Sequence, residues 1–209
     1  MVGPVGSARV PIRRDGQAPS PPASQTPPGK PRPTPLERHV MFFDRDNDGK
    51  IHVSETRSGL QELGTPFGLG WILALAINAG LSRNVMGKVG LTLDVDKIHK
   101  GKHPGDTGVY DAKGEYVSER FERVKTFDAD KSGALSWKEI KALMAANGGG
   151  KGNFAALGEF GLLFYLAKDR QEKDGNKTVG ALSLDRLKQL YDGTLFYRLT
   201  GRPLPDWAN

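Results

Sequence analysis

Three aspartates, a glycine and a glutamate stand at fixed spacing in Asp44-Arg45-Asp46-Asn47-Asp48-Gly49-Lys50-Ile51-His52-Val53-Ser54-Glu55. The spacing is that of an oxygen cage for one calcium ion, the EF-hand loop. Asp44, Asp46 and Asp48 offer side-chain oxygens from positions 1, 3 and 5, Lys50 its backbone carbonyl, and Glu55 both carboxylate oxygens. Gly49 takes the sharp turn at position 6, and His52 at position 9 acts through a water. A second copy begins 84 residues later, at Asp128. Its ligand set is Asp128, Asp130, the hydroxyl of Ser132, the backbone carbonyl of Ala134 and Glu139, with Ser136 at position 9. Having one carboxylate fewer, it is expected to be the weaker site, because affinity follows ligand charge. Ile51 and Leu135 both occupy position 8, so the two loops are expected to pair with each other through short strands.

The elements that must position these cages are helices. Helical patterns over residues 36–43 and 53–63 flank the first loop, and those over 117–127 and 137–146 flank the second. Further helices are expected over 157–168 and 183–191. Residues 97–115 read as loop, broken by Gly101, Pro104, Gly105, Gly108 and Gly114. The fold class expected is mainly α, with EF-hand type helix-loop-helix units around a central hydrophobic segment. That segment, residues 66–82, is the most apolar run, and between its end residues Asn78 is its one polar member. As a helix, residues 67–82 reach about 24 Å, short of a roughly 30 Å hydrocarbon core, which argues against a simple membrane span. A buried core helix is favoured; an interfacial helix or one entering a single leaflet remains open.

Ten of the 14 prolines lie in residues 1–35, with Arg9, Arg13, Arg14, Lys30 and Arg32 against Asp15 alone. Such a stretch has too few large apolar groups to offset ordering entropy, so it reads as a disordered basic arm ahead of one domain over 36–201 and a short tail over 202–209. Its charges are spread and no aromatic is interleaved, which argues against nucleic-acid binding. It also lacks the apolar core of a secretory signal. The chain has no cysteine, so thiolate and disulfide chemistry are excluded, and any tightly held transition metal depends on the four histidines and the carboxylates.

His39 stands out among those four. It falls on the inward stripe of the helix entering the first loop, with Leu36, Val40 and Phe43. A histidine there is ordinarily a hydrogen-bonded core residue, and burial favours its neutral, metal-binding form. His99 and His103 are four apart, but Gly101 and Pro104 make a shared helical face doubtful, so surface loop histidines are the simpler reading.

Together these residues resemble the caleosin family. The opening Leu36-Glu37-Arg38-His39-Val40-Met41-Phe42-Phe43-Asp44-Arg45-Asp46 is similar to the family's Leu-x-x-His-Val-x-Phe-Phe-Asp-x-Asp. Lys97 to His103, with Asp106, Gly108, Tyr110, Asp111 and Gly114, resembles its central histidine signature. Gly161-Leu162-Leu163, Leu166-Ala167-Lys168-Asp169 and Asp192-Gly193-Thr194-Leu195-Phe196 resemble its C-terminal pattern. The resemblance, over about residues 36 to 200, implies calcium binding and a haem b whose axial ligand is His39. A second haem-site histidine corresponds to His103, with His99 the alternative. It implies a peroxygenase that moves oxygen from a fatty-acid hydroperoxide to an unsaturated lipid or another acceptor, at a lipid droplet or endoplasmic reticulum membrane. Attachment there would be peripheral or monotopic; a soluble form and the oligomeric state are left open. Three features depart from the family pattern. Residues 83–95 contain no proline, where plant relatives carry a proline-rich knot. The second loop is better formed than usual, and residues 171–180 look like an insertion, which argues against a third calcium site around Asp169 and Asp174. The alternative function is a non-catalytic calcium sensor or droplet coat protein.

Overall fold

The computed structural model describes residues 32–101, 107–148 and 154–208, and the side chains of all of these except 154–156. The basic arm therefore lies almost wholly outside the described residues, as does His103. Helix α1 (Pro35–Met41) begins at a reciprocal cap. The Thr34 hydroxyl accepts from the Glu37 N–H at 3.3 Å while Glu37 Oε2 accepts from the Thr34 N–H at 2.8 Å, and proline fills the first turn.

The chain then builds two similar halves. In the first, α1, the acidic loop with its strand β1 (Lys50–His52), and α2 (Val53–Glu62) are followed by α3 (Phe67–Met86), β2 (Thr92–Asp94) and a 3-10 helix, Val95–Lys100. In the second, α4 (Ser118–Lys125), β3 (Ala134–Ser136) and α5 (Trp137–Ala146) are followed by α6 (Phe154–Ala167), the hairpin β4 (Arg170–Asp174) and β5 (Lys177–Ser183), and α7 (Leu184–Asp192). Helix α8 (Leu195–Thr200) and a 3-10 turn, Asp206–Ala208, close the chain. The described residues are thus mainly helical.

The expected pairing of Ile51 with Leu135 does not occur. β1 pairs antiparallel with β2, placing Ile51 opposite Leu93, and β3 pairs with β5, placing Leu135 opposite Leu182. The same pattern recurs at the two turns, where Val95 N–H donates to the Gly49 carbonyl and Leu184 N–H to the Gly133 carbonyl, both at 3.0 Å. Each acidic loop therefore finds its partner in the segment that follows it. The shorter connection costs less closure entropy than a pairing across 84 residues.

Helix α3 corrects two further expectations. It runs on to Met86, where Gly87 ends it in a left-handed conformation, so its 20 residues reach about 30 Å and the length argument against a span falls. It is also only partly a core helix. Gly70, Ala74, Asn78, Ser82 and Val85, spaced three or four apart, face inward, whereas Phe67, Leu69, Trp71, Ile72 and Leu75 are exposed, Ile72 at 66%. Small and polar groups pack against α2, and these five large apolar ones face solvent.

The main core gathers Phe42, Phe121, Leu135, Ile140, Leu143, Leu182, Leu187 and Leu195, and a smaller one gathers Ile51, Leu93 and Val95 with Val40, Met41 and Leu81. Phe43 packs against both. The residues expected to form a C-terminal tail belong to this core. Trp207 is buried, 5.9 Å from the Tyr197 ring centroid, and Arg38 lies 5.3 Å over its indole. One tryptophan buries enough apolar area to hold the segment down.

Candidate functional site

The first acidic loop is wrapped by its own backbone. Gly49 N–H donates to Asp44 Oδ2 at 3.0 Å, and Asp48 N–H donates to Asp46 Oδ1 at 3.2 Å. Arg45 and His52 N–H donate to the two Glu55 oxygens at 2.8 Å each. Asn47 and Gly49 have positive φ, as the turn requires. Asp44, Asp46 and Glu55 bring one oxygen each to within 4.8 Å of the others. Asp48 is outside that trio; its carboxylate accepts from the Lys50 N–H at 2.7 Å, and Lys50 itself opens β1 opposite Asp94.

Asp44 is the informative member. Its side chain is buried, and Oδ1 has no hydrogen-bond partner. Burial chiefly, with Glu55 and Asp48 nearby, pushes its carboxyl above the usual range, against the Gly49 and Asn47 N–H groups. A buried carboxylate oxygen left without a donor is costly. A cation among three hard oxygen donors supplies the missing partner, so the residues present fit calcium.

The second loop repeats the local geometry in a more open setting. Gly133 N–H donates to Asp128 Oδ2 at 2.8 Å, and Ala129 and Ser136 N–H donate to the Glu139 oxygens at 2.8 and 2.9 Å. Asp128, Asp130 and Glu139 form the matching trio. The Ser132 hydroxyl lies 3.4 Å from Asp128 Oδ1 and 3.3 Å from the Ala134 carbonyl, so the groups expected at positions 1, 5 and 7 converge. Its closest contact is Oε1 of Glu172, on β4. Burial first, then Asp130, Glu139 and Asp128, raises the Glu172 carboxyl. Asp169, around which the sequence argues against a third calcium site, is engaged by Ser183 and Arg186. It accepts from the Ser183 N–H and hydroxyl at 2.9 Å and pairs with Arg186 Nε at 3.4 Å.

His39 is half-buried on α1. Desolvation lowers its imidazole to about 4, partly opposed by a hydrogen bond to the Leu190 carbonyl. At neutral pH the ring is therefore uncharged, with one nitrogen donating to Leu190 and the other carrying a lone pair. Such an outer hydrogen bond orients metal-ligating histidines in general. The ring also lies 4.9 Å from that of Phe196, within an aromatic group that includes Phe42 and Phe43. Helix α7 delivers the Leu190 carbonyl because Gly193 allows close approach. A Cβ there would come within 2.4 Å of Arg38 Cβ and 2.9 Å of the His39 backbone nitrogen, at a φ of +85°. His99 is half-buried on the 3-10 helix that packs against α1.

Four features of this site were not anticipated from sequence. Asn78 is fully buried and donates to the Ile51 and Leu91 carbonyls at 3.1 and 2.9 Å while accepting from the Thr56 hydroxyl at 2.6 Å. It ties α3 to the strand of the first loop. Arg202 forks onto Glu62 at 2.7 and 2.9 Å and donates to the Phe42 carbonyl at 3.1 Å, strapping the ends of α1 and α2 together. The third is the Gly193 contact and the fourth is Glu172. A lone polar residue in an apolar run and a glycine after a helix were visible signals for Asn78 and Gly193. Nothing local marks Arg202 or Glu172.

Fold and site define a mainly helical protein with two acidic loops able to hold metal ions and a neutral histidine one helical turn and a residue before the first. A family model described as caleosin related protein matches residues 32–200, and the chain belongs to the caleosin family. It is 37% identical over 172 residues to "Probable peroxygenase 4" of Arabidopsis thaliana, covering 78% of this chain and 84% of that one. It is 27% identical over 174 residues to "Peroxygenase" of Lilium longiflorum, covering 78% and 69%. No solved structure matches the chain. Relatives so named support an oxidoreductase role of the peroxygenase type.

Proposed function

We propose that this protein is a calcium-dependent haem peroxygenase acting on fatty-acid hydroperoxides at a lipid surface. One observation carries the reading: α1 and the turn after it join a neutral imidazole at His39 to a buried carboxylate at Asp44, five residues on, whose Oδ1 makes no well-formed hydrogen bond. The donor chemistry at His39 suits an iron ligand: one nitrogen is committed to Leu190 and the other has a free lone pair. His39 would hold the haem. Bound there, haem supplies cleavage of the hydroperoxide O–O bond and passage of its terminal oxygen to the acceptor, leaving the hydroperoxide as its alcohol.

The chain's own residues do the rest. Leu190 fixes the imidazole's orientation. Phe196, backed by Phe42 and Phe43, covers one side of the ring. His103, or His99, is assigned proton movement at the peroxide oxygens. Both loops are read as EF-hand calcium sites, with Asp44, Asp46, Asp48, the Lys50 carbonyl and Glu55 in the first, and Asp128, Asp130, Ser132, the Ala134 carbonyl and Glu139 in the second. Calcium in the first loop removes the unpaired charge at Asp44 and stiffens the end of α1, which steadies His39. The exposed Phe67, Leu69, Trp71, Ile72 and Leu75 give α3 a lipid-facing side, which suits attachment to a membrane or droplet surface.

The test is the visible spectrum of purified protein with added haem. A strong band near 400 nm and oxygen transfer are expected for wild type, as for histidine-ligated haem generally, and both should vanish in His39→Ala. Haem and activity that survive the substitution would remove His39 from this role. The exposed face of α3 also fits a second reading, a calcium sensor or coat protein without chemistry. A chain that binds calcium and liposomes but takes up no haem would select it.

A further inference from the structure

We propose that Glu172, on the hairpin β4–β5, is a direct ligand of the cation held by the second acidic loop. The inference rests on reading residues 128–139 as a calcium site. It concerns a residue 40 positions from Ser132, outside the loop motif.

The loop alone is short of charge. Ser132 puts a neutral hydroxyl where the first loop has Asp48, leaving Asp128, Asp130 and Glu139 as its carboxylates. The hairpin supplies a fourth at that point. Glu172 is the half-buried residue of β4, flanked by exposed Arg170, Gln171, Lys173 and Asp174, and its Oε1 is the nearest partner of Ser132 Oγ. The oxygens there outnumber the protons. One hydroxyl proton faces Glu172 Oε1, the Ala134 carbonyl at 3.3 Å and Asp128 Oδ1 at 3.4 Å. The Ser132 N–H also serves Asp128 Oδ1 at 2.9 Å and the Ala134 N–H serves Ser132 Oγ at 3.3 Å, which leaves Glu172 Oε1 with the shared hydroxyl proton; four converging oxygens are a good start on the six to eight ligands that calcium takes. Three of the four are the position 1, 5 and 7 groups of the loop, and Glu172 Oε1 lies directly beside the position 5 group, within a side-chain movement of the Asp128, Asp130 and Glu139 trio. The inserted segment thereby becomes part of the site, and cation binding ties the free edge of the sheet β3-β5-β4 to the loop.

Calcium titration calorimetry on the full chain tests this. Wild type should bind two ions, and the second site is identified as the one lost in Glu139→Gln. Glu172→Gln should weaken that site about tenfold or more while leaving the first unchanged. Asp174→Asn removes a charge from an exposed position of the same hairpin and should change neither site more than twofold. Adding Ser132→Asp to Glu172→Gln should restore the second site, because it returns a carboxylate to position 5. An intact second site in Glu172→Gln, within twofold of wild type, overturns the proposal and leaves the loop assignment standing. A wild-type chain whose ion count is unaffected by Glu139→Gln removes the loop assignment itself.

Discussion

The two acidic loops share their turns, their carboxylate trios and the N–H donors that wrap them, yet they sit in different company. The first backs onto α1 with His39, onto Asn78 of α3 and onto the Arg202 strap. The second backs onto a hairpin that lends it Glu172. Asp44 is buried with an orphaned oxygen, whereas Asp128 Oδ1 accepts from the Ser132 N–H at 2.9 Å. Position in the motif thus sets the shape of a cation loop, and its neighbours decide what binding does. In the first loop, the buried Asp44 lies five residues after His39, and Asn78 ties the loop's strand to the helix with the exposed apolar face. In the second, an outside residue meets the local need.

The contrast is broken most severely at Gly193. Gly193→Ala forces a Cβ into Arg38 and His39 and a non-glycine residue into a left-handed conformation, so a loss of about 3 kcal/mol or more is expected in denaturant unfolding. The first half should suffer and calcium binding at the second loop survive. Unchanged stability would mean that α7 does not seat against α1 as described.

Next comes Asn78→Leu, which leaves the Ile51 and Leu91 carbonyls and the Thr56 hydroxyl without their partner. A cost of about 2–3 kcal/mol is expected, with weaker calcium binding at the first loop only. Equal weakening at both loops would show that α3 does not act on the first loop in particular.

A pH dependence is the third expected effect. His39 titrates at about 4 in the folded chain against about 6.5 unfolded, so between those values the unfolded state binds more protons. Stability should therefore fall as pH drops from about 6.5 to 4, and flatten below. His39→Phe should remove that slope in thermal melts; an unaltered slope would place the titration elsewhere.

Helix positions and both trios were legible because their signals are local: periodicity, capping residues and acids at fixed offsets. Strand partners were not. Position 8 marks Ile51 and Leu135 as strand residues, but the choice between each other and Leu93 or Leu182 depends on chain connection. The inverted face of α3 escaped because glycine, alanine and serine carry little hydrophobic signal, so small residues among large ones did not reveal which side packs. Trp207 and Arg202 sit in a short polar segment whose contacts lie far away in sequence, so neither marked itself as core.

Under the proposed function, calcium in the first loop holds the helix that presents His39. The direct measurement is the rate at which haem leaves the protein for an excess of apomyoglobin, with calcium and with chelator. Calcium should slow haem loss severalfold in wild type and in Glu139→Gln but not in Glu55→Gln. Equal rates with and without calcium in wild type, or a calcium effect that persists in Glu55→Gln, would contradict it.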